Sequence, residues 1–163
     1  MTTVAPDAPP SFSIRQAQRA DLLAVHRIEQ ASFPQPWPYS AFENYLDEPG
    51  FLVAEPVAET DLGEGVDGYV VADTVPNHGT PLGHVKDIAV HPDRRGQGVG
   101  TALLKRALAV LSGQGAGSVK LEVRESNDTA ISLYRSFGFE RRRTIPRYYG
   151  NGEDAFVMVR LLD

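Results

Sequence analysis

Arg94-Arg95-Gly96-Gln97-Gly98-Val99-Gly100-Thr101 is the stretch whose reading decides the fold. It follows an apolar segment, GHVKDIAV (83–90), that reads as a strand. It opens a helical pattern over 98–112, with Val99, Leu103, Ala107, Val110 and Leu111 on one face. Glycines at 96, 98 and 100 let the backbone approach a ligand closely. A helix starting near Gly98 leaves its first amides unpaired and turns its positive end outward. Together these features make an anion site suited to a pyrophosphate. The plain alternative is a glycine-rich turn that only joins strand to helix; the two arginines and the strand–loop–helix context favour phosphate. Two familiar phosphate loops are excluded. GxGxxG fails in both registers, because Thr101 or Leu103 stands where the third glycine belongs. The P-loop fails for want of its terminal Gly-Lys-Ser/Thr.

Upstream, FSIRQ (12–16) reads as a strand. Asp21 is placed to cap a helix to about Ala31, with Leu22, Val25, Ile28 and Glu29 at helical spacing. The prolines of SFPQPWPYS stop that helix, and Ser40 is placed to cap a second, AFENYLDE. FLVAEPV and DGYVVADTV read as antiparallel strands joined by the acidic loop AETDLGEGV. Downstream, SVKLEVR (118–124) alternates apolar and polar residues as a strand with one buried face. Asn127 is placed to cap a helix ending at Gly138, and FERRRTI and AFVMVRL read as the last two strands. The order β-α-α-β-β-β-α-β-α-β-β predicts an α/β fold: a mixed central sheet of six to seven strands with helices on both faces.

The chain has 163 residues, 42% of them hydrophobic, enough for one well-packed domain. Residues 1–11, rich in proline, are expected to form a mobile tail, and 12–163 a single domain. No apolar run approaches membrane-spanning length and no export signal is evident at the start, so a cytoplasmic protein is expected. There are no cysteines, which rules out an acyl-thiol enzyme intermediate and thiolate metal sites. No metal is expected. The net charge of −5 argues against nucleic-acid binding. Residues 1–82 carry 3 basic and 12 acidic side chains, residues 83–163 carry 13 and 9, so a polyanionic ligand belongs on the second half. His26, His78 and His91 read as surface residues.

Arg95-x-x-Gly98-x-Gly100 resembles the (Q/R)-x-x-G-x-(G/A) signature of the GNAT acetyltransferase superfamily. The likeness extends over GHVKDIAVHPDRRGQGVGTALL (83–104), LEVRESNDTAISLYRSFGFE (121–140) and RYYGNGEDAFVM (147–158). These resemble, in order, the motifs of RimI-like protein N-terminal acetyltransferases, the archaeal type above all. The SFPxxW-type loop at 32–37 adds weaker support.

The resemblance implies a GNAT fold, acetyl-coenzyme A (acetyl-CoA) as co-substrate, and transfer of its acetyl group to the α-amino group of a protein N-terminus, with a ribosomal protein among the candidate partners. Backbone groups of Ile88, Ala89 and Val90 would hold the pantetheine arm. Arg95 and the amides of Gly96, Gln97, Gly98, Val99, Gly100 and Thr101 would hold the pyrophosphate, with Asn127 and Tyr134 nearby. Glu122 falls at the general-base position, Tyr134 at the general-acid position, and His84 where archaeal relatives carry a histidine proposed to assist proton removal. Phe33, Trp37, Tyr148 and Tyr149 match loops that flank the peptide. No nucleic-acid or membrane partner is implied, and the oligomeric state is left open.

Each role has a physical rationale and a plainer alternative. An amine attacks a thioester only when neutral, and an α-amine with a pKa near about 7.7–8.0 needs a small push. Glu122 would supply it if burial tunes the carboxylate upward; otherwise it is a solvated glutamate on the polar face of its strand. A phenol suits protonation of a departing thiolate, but Tyr134 also reads as a core aromatic. His84 is equally a satisfied strand histidine. The aromatic loops either form a peptide groove or cover a sheet edge. Arg141, Arg142 and Arg143 read as a solvated strand end or cofactor-side charge. Two rival functions remain: acetylation of a small amine, for which the acidic loop at 59–67 would supply the charge, and a non-catalytic acetyl-CoA sensor.

Overall fold

The computed structural model describes residues 12–57 and 65–162. The expected tail (1–11) and most of the acidic loop (58–64) lie outside them. One seven-stranded sheet holds β1 (Phe12–Gln16), β2 (Phe51–Pro56), β3 (Gly68–Val75), β4 (Leu82–Val90), β5 (Ser118–Arg124), β6 (Glu140–Ile145) and β7 (Ala155–Leu161) in the order β1-β2-β3-β4-β5-β7-β6. Every pairing is antiparallel except β4–β5, which is parallel. That crossover is made by α3 (Val99–Gly113); α1 (Leu22–Ser32), α2 (Tyr39–Glu43) and α4 (Asp128–Ser136) complete the fold. The mixed sheet with helices on both faces is as the sequence predicts.

Each sheet face has its own core. Leu103, Leu104, Ala107 and Leu111 of α3 recur at helical spacing and meet Leu52, Ala54, Val70, Ala72, Val119 and Leu121. Ile131 and Tyr134 of α4 join this core. On the opposite face Leu22, Val25 and Ile28 of α1 pack with Phe42, Phe51, Val53, Tyr69 and Val71. Leu103 and Leu104 are fully buried; each such side chain contributes roughly 1.5–3 kcal/mol.

Two expected caps act differently. Asp21 precedes α1 but makes no capping bond to it. Its carboxylate instead accepts from the Gln18 amide (2.8 Å) and from Arg15 Nη1 (2.7 Å) and Nη2 (2.9 Å), because the charged guanidinium is the stronger donor. Helix α2 starts one residue before Ser40, on Pro38, whose fixed φ suits a helix entry. It stops at Glu43, and turns carry the chain on to β2. Asn127 caps α4 as expected, accepting from the Ala130 amide at 3.2 Å.

One irregularity shapes the site. Val71 pairs with Asp87 and Ala72 with Val85, so Lys86 is an extra residue in β4, a β-bulge. The parallel register between β4 and β5 runs from Leu82↔Ser118 to Val85↔Leu121 and stops there. Past that point β4 stays bonded to β3 and β5 to β7, and a wedge opens between them.

Candidate active site

A cavity of about 670 Å³ occupies this wedge. One wall is β4 from Val85 to Val90, the other is Glu122 to Arg124 of β5 with Asn127 and, from α4, Ala130, Leu133 and Tyr134. One end is the glycine loop. Gly98 starts α3 with φ +86°, a left-handed conformation that favours glycine, and Gly96 has φ +79°. The first helical bond of α3 runs from the Ala102 amide to the Gly98 carbonyl at 3.0 Å. The amides of Val99, Gly100 and Thr101 thus lack intrahelical partners and face the cavity end.

Arg95 lines the cavity, but its guanidinium is fixed to the Val90 carbonyl (3.1 Å) and Ser32 Oγ (3.2 Å), tying the loop to the end of α1. Arg94 pairs with the buried Asp67 at 3.2 Å. Gln97 is not part of the cavity wall, whereas Gly96, Gly98, Val99, Gly100 and Thr101 are.

At the other end Glu122 lines the cavity; His84, which is not part of its wall, places Nε2 2.7 Å from Glu122 Oε1, and Lys120 Nζ lies 3.4 Å from Glu122 Oε2. The Glu122 side chain is 13% exposed, so it is not a solvated glutamate. The expected upward tuning does not occur. Burial pushes its pKa up, but the hydrogen bond and charge of His84, with Lys120, outweigh that and hold it below the usual range. Tyr134 is 5% exposed and packs edge-on against Phe139 at 6.0 Å. Its hydroxyl makes no hydrogen bond among the described residues, and burial, then the charge of Asp87, raise its pKa far above the ordinary phenol value. Tyr134 therefore packs in the core and also lines the cavity.

The aromatic loops meet over this end. Phe33, Trp37 and Tyr149 line the cavity; Tyr148 is 49% exposed and does not. Trp37 also stacks on Tyr45 and tilts onto Phe42, so it fills core as well as groove. Gln35 bridges the two loops, its Oε1 accepting from the Gly150 amide at 3.0 Å. A Cβ at position 150 would stand 2.4 Å from Gln35 Nε2, so a side chain there would push the Gln35 amide aside. Arg124 lies 3.9 Å from the Tyr149 ring centre and bonds to Glu153 at 3.2 Å.

The sequence reading missed Gln35, Lys86, Arg124 and a cluster in which buried Glu29 and Tyr69 meet half-buried Asp87. The clue to that cluster is a charged residue, Glu29, standing in the apolar stripe of α1.

The sequence profile of the Acetyltransferase (GNAT) family matches residues 22–139, and the chain belongs to that family of acetyltransferases. It is 35% identical to the N-alpha-acetyltransferase of Sulfurisphaera tokodaii, covering 90% of this chain and 91% of that protein. It is 31% identical to the [ribosomal protein bS18]-alanine N-acetyltransferase of Escherichia coli, covering 90% and 95%. The crystal structure of Ard1 from Thermoplasma volcanium superposes with a TM-score of 0.82 at 28% identity, covering 94% of this chain and 99% of that one. Among the described residues no helix is long and apolar enough to cross a membrane, and no three or more His, Cys, Asp or Glu side chains gather as a metal would need.

Proposed function

We propose that this acetyltransferase moves the acetyl group of acetyl-CoA to the α-amino group at the N-terminus of a protein. The observation that carries the reading is a single cavity that joins the unpaired amides of α3 to Glu122, which His84 holds from behind the wall, under the aromatic loops. Its dimensions and lining suit the donor: an unpaired strand edge from Lys86 to Val90 for an amide-bearing arm, and helix amides for phosphate. Bound there, acetyl-CoA supplies an activated acyl group as a thioester. The relatives named N-alpha-acetyltransferase and bS18-alanine N-acetyltransferase support the α-amine as acceptor.

The chain's own residues then have distinct work. Backbone groups of Ile88 to Val90 orient the donor. Glu122 holds His84, and the pair accepts the proton that the amine must lose before it attacks. Tyr134 holds a proton at its hydroxyl, facing the cavity, for the leaving sulfur. Phe33, Trp37 and Tyr149 exclude water from the amine's approach, and the Gln35–Gly150 bridge fixes the two loops as one rim. Without a cysteine nucleophile the transfer is direct, in one ternary complex.

The deciding experiment presents a panel of N-terminal peptides, the bS18 N-terminus among them, with acetyl-CoA and locates the acetyl group by mass spectrometry. The α-amine should be modified well ahead of lysine in N-blocked counterparts, since a lysine near pKa 10.4 is about 300-fold less often neutral at pH 7. Preferential lysine modification would defeat the reading.

A further inference from the structure

Under the substrate end of the cavity lies the titratable cluster Glu29, Tyr69 and Asp87, which the chemistry above does not use. Glu29 of α1 is 2% exposed. Its Oε2 accepts from the Trp37 amide at 2.8 Å, and its Oε1 accepts a short hydrogen bond from the Tyr69 hydroxyl. The Tyr69 oxygen also lies 3.3 Å from Asp87 Oδ2. A phenol has one hydrogen to give. It is committed to Glu29, so the Tyr69–Asp87 contact is attractive only if Asp87 brings the hydrogen. Glu29 already holds two donors, the Trp37 amide and the Tyr69 hydroxyl. Asp87 is therefore the member that keeps the proton. Withdrawal from water, then the hydrogen bond and charge of Glu29, raise Asp87 well above the carboxylate range and outweigh the bonds with Tyr69 and the Ile88 amide.

Asp87 and Tyr134 wall the same cavity from opposite sides, one on β4 and one on α4. Tyr69, Glu29 and Tyr134 bear on Asp87, and Glu122, Lys86 and Arg124 share its cavity. The two cations among them are engaged elsewhere, Lys86 with Asp73 at 3.9 Å and above the Tyr45 ring, Arg124 with Glu153. An ionised Asp87 makes Tyr134 a poorer acid; a neutral one does not.

We infer that Asp87 stands as a neutral carboxylic acid on the cavity wall and restores the proton that Tyr134 passes to the departing sulfur. The inference rests on the acetyl-transfer reading above. In the transfer a carbon–nitrogen bond forms and the carbon–sulfur bond breaks. The amine gives one proton to the His84–Glu122 side, and sulfur takes one from the Tyr134 hydroxyl. Water in the cavity relays a proton from Asp87 to the tyrosinate across the wedge, and solvent carries the amine's proton back to the Asp87 carboxylate. Protons balance over the cycle.

Infrared spectroscopy reads the proton without any substrate. The parent protein at neutral pH should show a protonated-carboxyl carbonyl band that moves on [13C]aspartate labelling and vanishes in Asp87→Asn. That variant keeps shape and a donor to Tyr69, so its fold and its thermal shift with acetyl-CoA should persist. Its kcat should fall about tenfold or more, with peptide KM changed less than about twofold. A merely structural Asp87 would leave kcat untouched, because the amide replaces the neutral acid. Absence of a labelled acid band in the parent, or parental kcat in Asp87→Asn, overturns the inference. Failure of the parent to acetylate any N-terminal peptide overturns the α-amine reading instead, and the infrared band still decides Asp87.

Discussion

His84 and Glu122 are joined side chain to side chain, 2.7 Å apart, at the level where β4 and β5 cease to be bonded to each other. The contact places an imidazole and a carboxylate at the mouth of the wedge. It also keeps Glu122 charged over the whole pH range in which an α-amine loses its proton. On the proposed chemistry the carboxylate orients the imidazole as much as it takes a proton itself.

Glu122→Gln keeps the shape and loses that charge. Its kcat should drop about 10²-fold or more at pH 7 and recover partly at alkaline pH, where hydroxide deprotonates the amine. Because the native pKa of Glu122 lies below the usual value, the acidic limb of the parent profile should not be the titration of this carboxylate in isolation. A pH–rate profile of parent and variant checks both points; identical profiles would remove Glu122 from the proton path.

Tyr134→Phe deletes one hydroxyl that has no hydrogen-bond partner among the described residues and leaves the ring's contact with Phe139. Turnover should fall about 10²–10⁴-fold, while acetyl-CoA affinity and thermal stability stay near the parent's. Calorimetric titration beside steady-state kinetics separates these quantities, and unchanged turnover would return Tyr134 to the core alone.

Gly98→Asp and Gly98→Ala separate strain from charge. Both residues must adopt φ +86°, a strain of about 1–2 kcal/mol. Only the aspartate sets a negative charge beside the unpaired α3 amides. Acetyl-CoA at 100 times its Kd should stabilise the parent by about 2.7 kcal/mol. That shift should survive largely in the alanine variant and be lost in the aspartate one, as read by thermal melts with and without ligand.

Asp21→Asn tests a carboxylate that holds structure rather than chemistry. Burial pushes Asp21 up, but its bonds from Arg15 and the Gln18 amide bring it below the ordinary value. A depressed folded-state pKa stabilises fully above the unfolded value, near 3.9, and the benefit disappears as pH falls through the folded one. The variant should lose about 1–3 kcal/mol at pH 7 and differ little from the parent near pH 2, measured by urea unfolding at both.

Local rules carried much of the fold. Asn127, Gly138 and the 3.6-residue stripe of α3 speak through neighbours a few positions away, and the structure agrees with them. The glycine loop was legible for the same reason. Glu29 was visible as a charge in an apolar stripe, but its partners Tyr69 and Asp87 come from strands that only the sheet order brings to it. Asp87 was hidden by a second effect. Strict alternation puts Val85, Asp87 and Ala89 on one face, yet Val85 belongs to the core under α3 and Ala89 to the core under α1. The bulge at Lys86 turns the strand over between them, and nothing in KDIAV announces it. Asp21 failed as a cap because Arg15, a better donor than a backbone amide, folds beside it.

The four-pair register between β4 and β5 has a mechanical meaning. The sheet is two antiparallel blocks, β1 to β4 and β5 with β7 and β6, stitched along a short parallel seam. Separation of the blocks along that seam breaks few backbone bonds, so the shared core under α3 is what chiefly ties them together. A molecule lodged in the wedge touches both sides and acts as mortar between them. Occupancy then raises the cooperativity with which the two blocks melt as well as the temperature at which they do so.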